Sequence, residues 1–144
     1  RQLRHHPVVV RIASDLPPVL IDELLMQQVL VNLLENAAKF SDRESTIELV
    51  VEKQKDRLVT EVMDRGQGLP QNREQQIFDK FVRGTDTKAS GSGIGLAICR
   101  AIVELHGGTI EAFNREGGGS VFRFTIPVEE RATGPFLSET LKIE

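Results

Sequence analysis

ELLMQQVLVNLLENAAKF, residues 23–40, is the stretch whose reading decides the fold. Leu25, Val29 and Leu33 recur every four residues, as do Met26, Leu30 and Leu34, which is the spacing of one helical face. Asp22 stands directly before the stretch as a suitable N-cap. A long, well-buried helix over residues 23–40 is expected. Asn32, Asn36 and Lys39 follow one another at spacings of four and three and share the opposite face. Two amides and an ammonium on one side of a core helix call for a polar partner, although an ordinary solvated face has the same pattern.

Outward from this helix the period changes. Before it, residues 6–13 (HPVVVRIA) are rich in β-branched residues and read as a strand, broken by Leu16-Pro17-Pro18. After it, residues 46–53 alternate with Ile47, Leu49 and Val51 on one side, and residues 57–64 form a second strand beyond a polar turn. From Leu69 to Gly91 the chain is polar and small apart from a short amphipathic piece ending in Ile77-Phe78-Asp79-Lys80-Phe81, and RGTDTKAS (83–90) reads as a mobile loop. A helix is expected over residues 95–106, stopped by Gly107-Gly108. Residues 109–114 and 120–127 form a hairpin with Phe122, Phe124 and Ile126 on one face. Residues 129–144 read as a flexible tail. Helices mixed with antiparallel strand pairs predict an α+β two-layer sandwich, with helices on one face of a mixed sheet.

The chain of 144 residues is long enough for one domain with a real core. A net charge of -3 gives no reason to expect a nucleic-acid partner. With one cysteine, Cys99, no internal disulfide can form, and a reducing compartment is expected. No apolar run is long enough to cross a bilayer, so no direct membrane contact is expected from this piece. The first residue is not Met, so the chain reads as a fragment of a longer protein.

Two further motifs carry chemistry. Asp64 ends a strand, and Gly66 and Gly68 follow it. The glycines permit positive φ and close approach of a ligand, and a carboxylate there can accept the exocyclic amine of adenine; a plain turn would look the same. Gly91, Gly93 and Gly95 precede a helix, where backbone N–H groups form an anion site, or else a flexible hinge. No Gly-Lys-Ser/Thr occurs, and Leu96 stands where a dinucleotide fingerprint needs its third glycine. The amide oxygens of Asn32 and Asn36 are hard donors suited to Mg²⁺, with Lys39 as a point charge for phosphate. His5 and His6 read as exposed, His106 as a helix-closing residue acting through the dipole, and Cys99 as core.

With these residues together, the chain resembles the catalytic, ATP-binding domain of bacterial sensor histidine kinases over about residues 7–128. The stretch from Asn32 to Phe40 resembles that family's N box, Asp64-Arg-Gly66-Gln-Gly68 its first glycine box, Ile77 to Phe81 its F box, and Gly91 to Leu96 its second glycine box. The Phe-Val-Arg-Gly run at 81–84 and Ala112-Phe-Asn-Arg115 are most similar to the potassium-responsive (Kdp-type) members. The resemblance implies the Bergerat-type fold shared with gyrase, Hsp90 and MutL ATPases, and ATP with Mg²⁺ as its ligands. It implies that Asn36 holds Mg²⁺ with Asn32 assisting, that Lys39 contacts phosphate, and that Phe40 lines the pocket. Asp64 would take the adenine amine, within the turn of Gly66 and Gly68, and Thr125 would help through water. Gly91, Gly93, Gly95 and Leu96 would cradle phosphates beneath a lid over residues 81–91, from Phe81 to Gly91, in which Arg83 is a phosphate or partner contact.

The phospho-accepting His of that family is missing, since none of the three histidines has its context. The resemblance therefore implies that a dimerisation and phosphotransfer domain of the same parent precedes residue 1. A response regulator would act downstream, and the parent would sit in the bacterial inner membrane. Gyrase-like ATPases carry a water-activating Glu four residues before the metal-binding Asn. Asn32 holds that position here, which argues against hydrolysis as the main activity. An ATPase of the same fold and a non-catalytic nucleotide-sensing module are the rival readings.

Overall fold

The structure, a computed structural model, describes residues 6–69, 76–79 and 94–128. The expected lid, with Phe81, Arg83 and Gly91, lies outside the described residues, as do Gly93 and the expected tail 129–144. The described elements are β1 (Val8–Ile12), α1 (Glu23–Phe40), β2 (Ile47–Gln54), β3 (Arg57–Met63), a single 3₁₀ turn (Gln76–Phe78), α2 (Ile94–Leu105), β4 (Thr109–Asn114) and β5 (Ser120–Pro127). The five strands form one sheet in the order β1-β2-β3-β5-β4. β1 runs parallel to β2, and the other pairings are antiparallel.

Helix α1 begins and ends where its sequence says. The Asp22 carboxylate accepts the Leu25 N–H at 3.0 Å, satisfying one of the donors a helix start leaves orphaned. At the other end Ser41 turns to extended backbone, its N–H still reaching the Ala37 carbonyl. Met26, Val29, Leu33, Ala37 and Ala38 are buried, with Leu25, Leu30 and Leu34 packed at their margin. Helix α2 buries Leu96, Cys99, Ile102 and Val103. Both helices lie on the face formed by Leu49, Val62, Ile110, Ala112, Phe122, Phe124 and Ile126, and the Phe78 ring meets Phe122 edge-on at 6.1 Å. The fold is the two-layer α+β sandwich expected, with helices on one face of a mixed sheet. The amphipathic piece before the loop is shorter than a helix among the described residues, a 3₁₀ turn whose Ile77 and Phe78 plug the core.

The opposite face of the sheet is mixed, with charged side chains beside apolar ones, of which Val59 and Val121 are buried. Arg123 joins Glu61 at 2.7 Å and Glu111 at 3.2 Å and covers the Phe113 ring. These pairs are partly exposed, and such pairs contribute little to stability.

Two histidines depart from expectation. His6 is buried, and its Nδ1 donates to the Ser45 carbonyl at 2.9 Å. The Nδ1 of His106 donates to the Ile102 carbonyl at 2.8 Å, and its Nε2 accepts the Asp22 N–H at 2.9 Å. An imidazole that accepts through one nitrogen is neutral. His106 therefore stitches the end of α2 to the cap of α1 by hydrogen bonds, and does not act as a cation on the helix dipole.

Candidate functional site

β3 ends at Met63, and the next residue turns its side chain toward the helix side of the sheet. There Asp64 is buried to 1% exposure. Its Oδ1 accepts the N–H of Gly66 at 2.9 Å and of Ser120 at 3.2 Å, and its Oδ2 accepts the Ser120 hydroxyl at 2.8 Å. Three donors hold the carboxylate, and Oδ2 keeps a lone pair for a further donor. No cation pairs with it among the described residues.

The two glycines after Asp64 do different work. A Cβ on Gly66 would stand 1.9 Å from the Phe40 carbonyl oxygen, so only glycine lets this turn lie against the end of α1. Ser41 and Gly66 form a β-bridge there, and the Asp42 N–H donates to the Arg65 carbonyl at 3.1 Å. Gly68 has φ +85°, the left-handed region that favours glycine, and the next N–H, of Leu69, donates to the Asn114 side chain at 2.7 Å. Lys39 and Phe40 are thus brought beside the Asp64 turn.

The same helix meets the start of α2 further along. The Asn32 amide donates to the Gly95 carbonyl at 3.5 Å, a long contact, and a Cβ on Gly95 would lie 3.7 Å from the Asn32 side chain. Asn32 and Phe40 are eight residues apart, so about 12 Å of helix separates the α2 end of the site from the Asp64 end. The half-buried Asn36 and the exposed Lys39 lie between them, and neither side chain makes a hydrogen bond or ion pair among the described residues. Leu96 is buried in the core beneath this seam.

Thr125 is not part of this constellation. It lies on the other face of the sheet, where its hydroxyl oxygen accepts from Arg57 at 3.3 Å and from the Thr109 N–H at 3.2 Å. Ser120, five residues earlier on β5, is the hydroxyl that touches Asp64. The β4–β5 hairpin fixes its register against β4 but not against β3, and nothing in its local sequence marks it. Asn114 and Arg115 escaped sequence reading for the same reason, since their contacts are made across the sheet.

The donor set suits a hard divalent cation bound mainly through a ligand's phosphates. The half-buried Asn36 amide has no protein partner among the described residues, and amide oxygens are hard neutral donors. No cluster of His, Cys, Asp and Glu able to hold a metal by itself occurs among the described residues. Cys99 is fully buried between the helices, and burial pushes its thiol up to about 12, far from a nucleophile.

A model of the histidine kinase-, DNA gyrase B- and HSP90-like ATPases matches residues 21–130. The chain belongs to that family. It is 46% identical over 134 residues to the sensor protein KdpD of Escherichia coli (strain K12), covering 92% of this chain and 15% of that protein. It is 45% identical over 123 residues to the adaptive-response sensory kinase SasA of Prochlorococcus marinus, covering 83% and 32%. Among solved structures, the catalytic domain of histidine kinase ThkA superposes with a TM-score of 0.74 at 32% identity, covering 88% of this chain and 83% of that one. ThkA has also been solved in complex with the response regulator protein TrrA. The domain is thus of the catalytic-domain type found in sensor histidine kinases. It spans about a seventh to a third of the length of these curated relatives.

Proposed function

We propose that this domain binds ATP with Mg²⁺ and presents the γ-phosphate to a histidine on a separate dimerisation domain of the same parent. The observation that carries the reading is the run of polar groups along one side of α1. A buried, hydrogen-bonded carboxylate lies at one end, and the glycine start of α2 at the other, about 12 Å away. Asp64 accepts the adenine amine on Oδ2, steadied by Ser120. Gly66 and Gly68 let the base approach the backbone, and Phe40 lines the pocket. Lys39 reaches phosphate, Asn36 and Asn32 offer amide oxygens to the cation, and Gly95 with Leu96 opens the helix that faces the phosphates. Mg²⁺, when bound, neutralises phosphate charge. The chain's own residues orient the nucleotide, so that an incoming imidazole nitrogen bonds to the γ-phosphorus while the bond to the ADP oxygen breaks. Phe81, Arg83, Gly91 and Gly93 belong to the same proposal on sequence grounds. The phosphoryl group would then pass to a response regulator, a reading supported by the ThkA–TrrA complex. The Kdp-type likeness of residues 81–84 and 112–115 leads us to propose a potassium-responsive parent in the bacterial inner membrane, and the identity to KdpD supports the sensor part of that reading.

The test is radiolabelled ATP. The isolated chain binds ATP but forms no acid-labile phosphohistidine, because it lacks the acceptor. Mixed with the upstream helical domain of its parent, it labels that domain's histidine in trans, slowly for want of the tether. Rapid ATP turnover by the isolated chain would favour the rival ATPase reading.

A further inference from the structure

We propose that Arg115 is a positioning residue for the nucleotide turn. It grips the Asp64 main chain from the back of the sheet, so that the carboxylate meets the base at a fixed place. The inference rests on the reading of Asp64 as the adenine contact. Arg115 opens the β4–β5 turn, and its side chain is only 13% exposed. Its Nη1 donates to the Asp64 carbonyl at 3.1 Å, and its Nη2 donates to Glu48 Oε2 at 3.1 Å. Glu48 lies between Ile47 and Leu49, which face the helices, so its carboxylate stands on the far face of the sheet. Its other oxygen is taken by Arg11 of β1 at 2.9 Å.

The hairpin is shaped to allow this grip. A Cβ on Gly119 would stand 2.0 Å from the Asp64 carbonyl oxygen, so the side chain that is missing there makes room for that oxygen. The Asp64 turn answers in kind, with Arg65 Nη1 donating to the carbonyls of Glu116 at 3.2 Å and Gly118 at 3.1 Å. Carbonyl and carboxylate belong to one residue, so a shift of one displaces the other, and small misplacements in a binding site carry large costs. A planar guanidinium serves two acceptors in fixed directions, as a lysine ammonium on a flexible stem does not.

The experiment is calorimetry on the 144-residue chain with ATP and with purine riboside 5′-triphosphate, which lacks the exocyclic amine. The unsubstituted chain prefers ATP by about tenfold or more, as one hydrogen bond to a charged group allows. Arg115→Met is expected to cut that preference to about threefold or less while the amine-free nucleotide binds as before, a pattern that general loosening of the fold does not produce. Arg115→Lys keeps a charge beside Glu48 but does not restore the preference. Arg123→Met, on the distant Glu61–Glu111 pairs, leaves it intact. An unchanged ATP preference in folded Arg115→Met, or equal loss of both nucleotides, overturns the proposal. If Arg115→Met does not fold, Glu48→Gln, which frees the far side of the guanidinium, decides it by the same pair of titrations. An unsubstituted chain that binds both nucleotides alike removes the adenine reading of Asp64, and this proposal with it. A preference that survives Arg115→Met removes this proposal alone.

Discussion

At the scale of single residues the proposed base contact rests on Asp64, and its environment says what a substitution does. Asp64→Asn keeps the volume and one acceptor oxygen but puts an N–H₂ where the Ser120 hydroxyl donates and where the proposed base amine would donate. ATP binding is expected to weaken at least tenfold, about 1.4 kcal/mol, while the fold survives. Calorimetry with ATP and GTP checks this, and unchanged ATP affinity in a folded variant would sink the assignment. Asn36 is proposed to act through the cation. Asn36→Ala should therefore reduce Mg²⁺-dependent nucleotide binding far more than binding in the presence of a chelator, and equal losses would return Asn36 to the solvated face of α1. Asp64 was legible in the sequence because strand end, Asp and two glycines lie within five residues. Ser120 was not, because it acts across the sheet. Thr125, which resembled a family hydroxyl, lies one face away because strand side chains alternate, and an odd offset of five residues along β5 reverses the side.

Among the elements, the ends of α1 matter most. They were readable because Asp22 caps one and the apolar period stops at the other. β4 and β5 have the expected bounds because the Gly117–Gly119 turn fixes their register, with φ of +87°, +110° and +103° at its three glycines. The docking of one element on another was not readable, since backbone-to-backbone approach leaves no periodic trace. Gly66 tests that docking. Gly66→Ala drives a methyl group into the Phe40 carbonyl and should cost about 1–3 kcal/mol, the usual penalty of overpacking. It should also weaken nucleotide binding by separating the end of α1 from the Asp64 turn. Urea melts and ATP titration measure the two effects, and a variant as stable as the unsubstituted chain would show that the turn can stand away from the helix.

For the whole molecule, acid stability follows from the outer face. The Glu48 carboxyl is held below its ordinary value of 4.5, by the Arg11 hydrogen bond first and against the pull of burial, with Arg115 adding to the effect. A carboxyl lowered on folding contributes stability that is present above its unfolded value and lost as pH falls through the folded one. Thermal melts should show stability falling below about pH 4.5, with a shallower fall in Glu48→Gln. The opposite slope would mean that the Arg11–Glu48–Arg115 row is not formed in solution. No described helix is long and apolar enough to cross a membrane.

The order of the strands has a consequence for how the chain is made. Among the described strands, β4 pairs with β5 alone, and β5 lies between β3 and β4 although it is synthesised after both. A nascent chain halted before Ser120 has β4 without a neighbour, β3 with an open inner edge, and Asp64 without its serine. The β3–β5–β4 part of the sheet therefore forms only when β5 has left the ribosome. Until then the open β3 edge can pair with other chains, so the exposure lasts as long as the synthesis of residues 64–119, which separate β3 from β5.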